Sequence, residues 1–385
     1  MGLTYRDISI LLLIISIIND TFLSITFGRP VLLIIYLFFI ICNYKIIFLY
    51  KNLRVSYLIM SLFFFVILSL IFNLSRYNEI NFFNAVNLIF INYCIFKCFT
   101  YLSINKSLQY LILSLLISIS LQFFYNEPLT EYTFRVSGGT GDPNEFSTQV
   151  LYSLAIFPLI QFNKLKGVWN KIIYYLYYII AVLSILKAGS TTAGLILTII
   201  TLFNIYKLIK HNIKYTIIFS ILIFILIFFV SNYLNEIDIV RDYLDRASSN
   251  DGGMNSRLGI WKVAESIITD NIFFGVGPTN FPIYSEIYSH YTLAEGSRAA
   301  HNIFILLFAE SGIISILLLL FIIVNFFINT FKEKLNERYL FSIMIVFLMG
   351  LSLTMFYEKY FWFFIGIMVN AINVKKMENR TKVKL

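Results

Sequence analysis

The chain has 385 residues, 59% hydrophobic and only 13% charged, with 40 Phe and 26 Tyr. That is more apolar and aromatic material than a soluble core of this size uses, and it excludes an ordinary soluble domain. The net charge of +9 falls largely in the short gaps between apolar runs, the pattern of topogenic charge and anionic-lipid contact, so it gives no support to nucleic-acid binding.

In chain order, runs long enough to cross a bilayer core as helices stand near 8–26, 30–50, 55–74, 82–101, 107–125, 144–162, 172–189, 192–210, 215–233, 301–329, 339–357 and 360–374. The expectation is an all-α integral membrane protein of about twelve spans, a single polytopic domain over residues 1–385. One basic residue precedes the first run and no small-residue cleavage site follows it, which reads as a retained first span. Gly189-Ser190-Thr191-Thr192 leaves almost no loop between two helices. Most of the basic residues lie on one side of this assignment: Arg6, Lys45, Lys51, Arg54, Lys97, Lys106, the groups at 164–171, 207–214 and 332–338, and the tail from Lys375. The positive-inside rule makes that side cytoplasmic, with both termini inside and the loops 126–143 and 234–300 outside. Cys42, Cys94 and Cys98 fall inside spans, so none is placed for an extracellular disulfide. Cys94 and Cys98 stand one helical turn apart without a third ligand, which favours packing over a metal site.

The first outer loop runs Arg135-Val-Ser-Gly138-Gly139-Thr140-Gly141-Asp142-Pro143-Asn144. Its glycines allow successive backbone N–H groups to converge on an anion, and Asn144 is placed to cap the incoming helix. The Gly-Lys-Ser/Thr ending of a nucleotide loop is missing. The alternative is a glycine-rich connector with one snorkelling arginine.

The second outer loop begins with residues 234–247, where Ile237, Val240 and Leu244 share one helical face, predicting an amphipathic surface helix. Asp238, Asp242 and Asp245 are interleaved with Arg241 and Arg246 at ion-pair spacing, which weighs against a divalent cation among them. A second helix follows the turn at 249–253, with Asn255 or Ser256 as its N-cap and Arg257 in its first turn. A guanidinium beside a positive helix end suits a phosphate-like anion; an ordinary exposed arginine is the equal alternative. Gly275-Val276-Gly277-Pro278 marks a tight structural turn.

Of the three histidines, His211 reads as solvated and His290 as the weaker outer candidate. His301 opens the span near 301–329, which sets its ring at the water boundary. A neutral imidazole there serves either as a general base or as a plain loop contact. Glu310 and Glu358 fall at or within spans, where ionisable groups are functional or paired.

Taken together, His301-Asn302-Ile-Phe-Ile-Leu-Leu-Phe-Ala-Glu310-Ser-Gly312, Ser256-Arg257-Leu-Gly-Ile-Trp261, Gly275-Val-Gly277-Pro-Thr-Asn280-Phe281 and the Gly-Asp-Pro-Asn ending of the first loop resemble the O-antigen ligase and polymerase superfamily. The motifs cover the second half of the chain, and the topology covers all of it. The resemblance implies a GT-C-like helical membrane fold and an inverting glycosyltransferase that needs neither metal nor cofactor. It implies a bacterial cytoplasmic membrane location, with undecaprenyl-pyrophosphate-linked oligosaccharides as donor and acceptor on the outer face. Membrane lipids and other polysaccharide assembly proteins are the further partners. In site terms it implies that His301 activates the acceptor hydroxyl, that Arg257, then Arg135, with Arg298 assisting, hold the departing pyrophosphate, and that Asn302, Glu310 and Asn144 support them. Relatives carry Ser-Arg at the short outer turn where this chain has Thr191, which leaves that charge to Lys187 or Arg135. A repeat-unit polymerase of surface polysaccharide is the reading taken, an O-antigen ligase its closest rival, and a lipid-linked oligosaccharide flippase the rival of another class.

Overall fold

The computed structural model describes residues 4–27, 29–47, 54–102, 109–117, 142–156, 168–211, 254–289, 299–333 and 337–383. Among them the secondary structure is helical, with no strand: α1 (Tyr5–Ile18), α2 (Asp20–Phe27), α3 (Arg29–Ile47), α4 (Arg54–Phe72), α5 (Glu79–Phe99), α6 (109–117), α7 (Pro143–Ile156), α8 (Val168–Ala188), α9 (Thr191–His211), α10 (Met254–Asp270), α11 (Phe281–Tyr288), α12 (Ile303–Lys332), α13 (Glu337–Gly350) and α14 (Lys359–Val383). Arg29–Ile47, Glu79–Phe99 and Ile303–Lys332 are long and apolar enough to cross a membrane. The predicted span at 215–233, the predicted surface helix at 234–247 and residues 126–141 of the first outer loop lie outside the described residues.

Local chemistry sets the helix ends. Thr4 and Asp7 form a reciprocal capping box at α1, and Asn78 accepts from Asn81 N at 2.7 Å at the start of α5. The first predicted span, 8–26, is two helices, because the chain leaves helical geometry at Asn19, whose side chain bonds back to Ile15 O at 3.0 Å.

α3 shows the logic of a lipid-facing helix. Leu33, Ile34, Leu37 and Ile41 form an exposed apolar stripe, while Tyr36, Phe39 and Asn43 turn inward. Asn43 is there because its amide is satisfied, accepting from Arg6 Nε at 3.1 Å and donating to Ser9 Oγ at 3.0 Å. Cys98 adds a longer contact to Asn43 Oδ1 at 3.8 Å, and Cys94 beside it is buried, which fits packing roles for both.

Helix pairs then build the frame: α4 lies along α12, α5 along α14, α7 against α8, α9 and α13, and α10 against α11 and α12. Trp362 is the pin of the α5–α14 seam, fully buried with its indole N–H on Phe356 O at 2.7 Å.

Candidate functional site

The site is organised by a break in α12. Gly312 sits at φ 78°, ψ −177° inside Ile303–Lys332, a backbone region open essentially to glycine alone. The break frees main-chain groups, and the glycine turn after α10 takes them up: Val276 N donates to Ala309 O and Gly277 N to Glu310 O, each at 2.9 Å, while Ile313 N donates to Ile272 O at 2.8 Å. The approach is so close that a Cβ on Gly275 would overlap the carbonyl of Glu310, and one on Gly312 the carbonyl of Phe273. The Gly-Val-Gly turn predicted as structural is therefore the piece that plugs the broken helix.

Glu310, 1% exposed, explains how the plug is locked. Its Oε1 accepts from Phe281 N at 2.9 Å, supplying the cap that Asn280's side chain does not give α11. Ser69 of α4 donates to Glu310 O at 2.8 Å, and Tyr77 donates to Pro278 O at 2.6 Å. Burial first, then the Glu310 carboxylate, holds the Tyr77 hydroxyl protonated far above its ordinary range, so it remains a donor. Arg76 reaches Asn271 Oδ1 at 3.0 Å and lies over the Tyr284 ring, tying the same turn to the α4–α5 connection.

His301 lies just outside α12. It holds a left-handed φ of 47°, unusual for a non-glycine residue. Asn302 is the N-cap, accepting from Phe304 N at 2.9 Å and Ile305 N at 3.2 Å and donating to Leu351 O at 3.1 Å. On the other flank, Trp261 donates its indole N–H to Ala300 O at 2.9 Å. The half-buried imidazole is pulled below the ordinary histidine value chiefly by burial, then by the Arg257 guanidinium, with Asp142 pulling the other way. It is therefore neutral at physiological pH and able to accept a proton. Arg257 is itself half-buried, and burial lowers its pKa from the arginine value without discharging it.

Several expectations need correction. His301 does not begin the helix; Asn302 caps it. Asn144 does not cap α7, because Pro143 is already helical and Asp142 supplies the acceptor, taking Asn144 N at 2.6 Å and Glu145 N at 3.4 Å. α10 already includes Met254, so it starts before the predicted caps Asn255 and Ser256. Lys187, expected as a pyrophosphate contact, is exposed in the last turn of α8. Arg135, Arg298 and His290 lie outside the described residues, as does the Thr191 side chain. Asp142 and Trp261 are the site neighbours that the sequence reading left unassigned. Asp-Pro at a helix start is a legible cap signal, and Trp261 closes the motif Ser256–Trp261, whose spacing gives the indole no role of its own.

Residues 176–320 match the family model described as O-antigen ligase. That segment is similar to the O-antigen ligase family. No curated protein matches the chain. The matched segment contains Arg257, Trp261, the Gly275–Gly277 turn, His301 and the break at Gly312, so the glycine turn and the clamped histidine fall inside it. Asp142 comes from outside it and reaches His301 only through the tertiary structure.

Proposed function

We propose that this protein is a surface-polysaccharide repeat-unit polymerase of the bacterial cytoplasmic membrane. It transfers an oligosaccharide from an undecaprenyl-pyrophosphate carrier to a lipid-linked acceptor on the outer face, with inversion at the anomeric carbon. Both termini are cytoplasmic in this reading, and about twelve spans form a fold of the GT-C kind. The observation that supports it best is the pairing of a neutral, half-buried His301 with the Arg257 guanidinium inside the segment similar to the O-antigen ligase family.

In this reaction the acceptor hydroxyl oxygen bonds to the donor's anomeric carbon while the bond from that carbon to the pyrophosphate oxygen breaks. His301 takes the hydroxyl proton, and the bonding pair leaves with the pyrophosphate, whose growing charge meets Arg257. The carrier arrives activated, so alignment and charge stabilisation provide the catalysis. Asn302, by capping the helix and holding Leu351, keeps the base at the head of α12. Arg135, Arg298 and Lys187 remain proposed further contacts to the anion.

The family model's description favours a second reading, in which the acceptor is lipid A core or a similar anchor. Surface glycan from a deletion strain, run on a gel, separates the readings. Single repeat units on the final acceptor support the polymerase, and long chains stranded on the carrier support the ligase. Repeat units retained inside the cell would point to a flippase and refute both. His301→Ala should reproduce the deletion phenotype at normal protein level; polymer of ordinary length from that variant would refute the base assignment.

A further inference from the structure

Arg257 and Trp261 are one helical turn apart on α10, so their side chains leave the same face. Arg257 acts electrostatically on His301, while Trp261 reaches the chain immediately before it, the indole N–H donating to Ala300 O at 2.9 Å. Ala300 is buried, and His301 follows with its left-handed φ of 47°. A non-glycine residue keeps such a backbone only where its surroundings over-determine it. Here they do so from two directions. Trp261 fixes the peptide before His301, and Asn302, bonded to Leu351 O and to the first turn of α12, fixes the residue after it.

We propose that Trp261 is a positioning residue for glycan transfer: its indole bond to the Ala300 carbonyl sets the separation of His301 from Arg257, so one helix carries both the anion contact and the tether of the base. This rests on the reading of His301 as base and Arg257 as pyrophosphate contact. The same bond couples the two halves of the reaction. A movement of α10 that follows the departing anion carries the His301 backbone with it. Trp261 touches no reacting atom in this scheme; its effect passes through the main chain.

The test uses the full-length protein in lipid vesicles, with lipid-linked repeat units extracted from a strain deleted for this gene. Two variants remove the N–H. In one, β-(3-benzothienyl)alanine at position 261 keeps the ring shape; the other is Trp261→Phe. Both should lower kcat about tenfold to a hundredfold, the scale of a misplacement near 1 Å, with little change in KM. Both should also move the acid limb of the pH–rate profile upward, because His301 drifts from the Arg257 charge that disfavours its protonation. Of the other described groups, Asp142 is the one whose charge acts on His301 in the opposite sense.

A wild-type kcat and acid limb in the benzothienyl variant would overturn the proposal. So would a change confined to KM, or a loss of folded protein with kcat per folded molecule unchanged. If Trp261→Phe fails to accumulate, the benzothienyl variant decides the matter, and pH-dependent modification of His301 by diethyl pyrocarbonate reports its basicity independently of turnover. Full transfer by His301→Ala would instead defeat the underlying site reading, a result distinguishable from these.

Discussion

Alanine at position 312 would place a Cβ against the carbonyl of Phe273, where the glycine turn enters the broken helix. Two costs follow. The φ of 78° with ψ of −177° belongs to a region that costs a non-glycine residue about 1–3 kcal/mol. Moving the turn away to make room stretches the bonds Val276 N to Ala309 O, Gly277 N to Glu310 O and Ile313 N to Ile272 O, each contributing roughly 1 kcal/mol net. With one of them lost, Gly312→Ala destabilises by about 2–4 kcal/mol. Gly259 is the internal control: it lies inside α10 with nothing within 4 Å of a built Cβ, so alanine there should stabilise by about 0.5–1 kcal/mol. Thermal unfolding of the detergent-purified protein, followed by tryptophan fluorescence, reads both. The same glycine-to-alanine change should lower the melting temperature at 312 and leave or raise it at 259. A Gly312→Ala protein that melts with the wild type would refute the plug, and equal losses at both positions would refute the geometric argument.

The acid limb of the pH–rate profile should lie below the usual imidazole value near 6.5, because burial and Arg257 depress the His301 pKa. The neutral base persists down to that lowered value, and activity is lost as pH falls through it. Arg257→Gln removes a positive neighbour and should move the limb of its residual activity upward, whereas Asp142→Asn, which keeps a cap acceptor, should move it downward. A limb at the same pH in all three proteins would show that His301 is not the titrating group. Arg257→Lys should lose about tenfold or more in kcat, since an ammonium cannot form the guanidinium fork; turnover at the wild-type rate would make Arg257 a plain surface charge.

Much of the helical layout was legible because membrane helices announce themselves by length and hydropathy. Predicted spans within the described residues overlap helices, as at 55–74 against Arg54–Phe72 and 82–101 against Glu79–Phe99, although the span at 339–357 outruns its helix, which ends at Gly350. Boundaries failed where backbone geometry or capping overrode the hydropathy signal. The first span divides at Asn19, where the backbone leaves helical geometry at φ −117° and ψ 33°, and Asp142 displaced Asn144 as a cap because proline already fits the first helical position. Gly312 was the hardest to read. It directly follows Glu310 and Ser311 inside a run that hydropathy reads as one span, and its φ above zero goes with the turn docked against it, which hydropathy does not encode.

His301, Arg257 and the glycine turn stood out in the sequence because a polar residue at a membrane edge, a guanidinium at a helix start and closely spaced glycines are each costly without a purpose. Their order in the chain also carried the family resemblance that the match over residues 176–320 then met. The tertiary structure alone decided which of them act together. Asp142 and Arg257 come from distant parts of the chain to impose opposing charges on one imidazole, and Trp261 secures that imidazole through the backbone of Ala300. Composition and spacing report what each segment must bury. Hydrogen bonds and charge effects between segments depend on distances that form only when the helices pack.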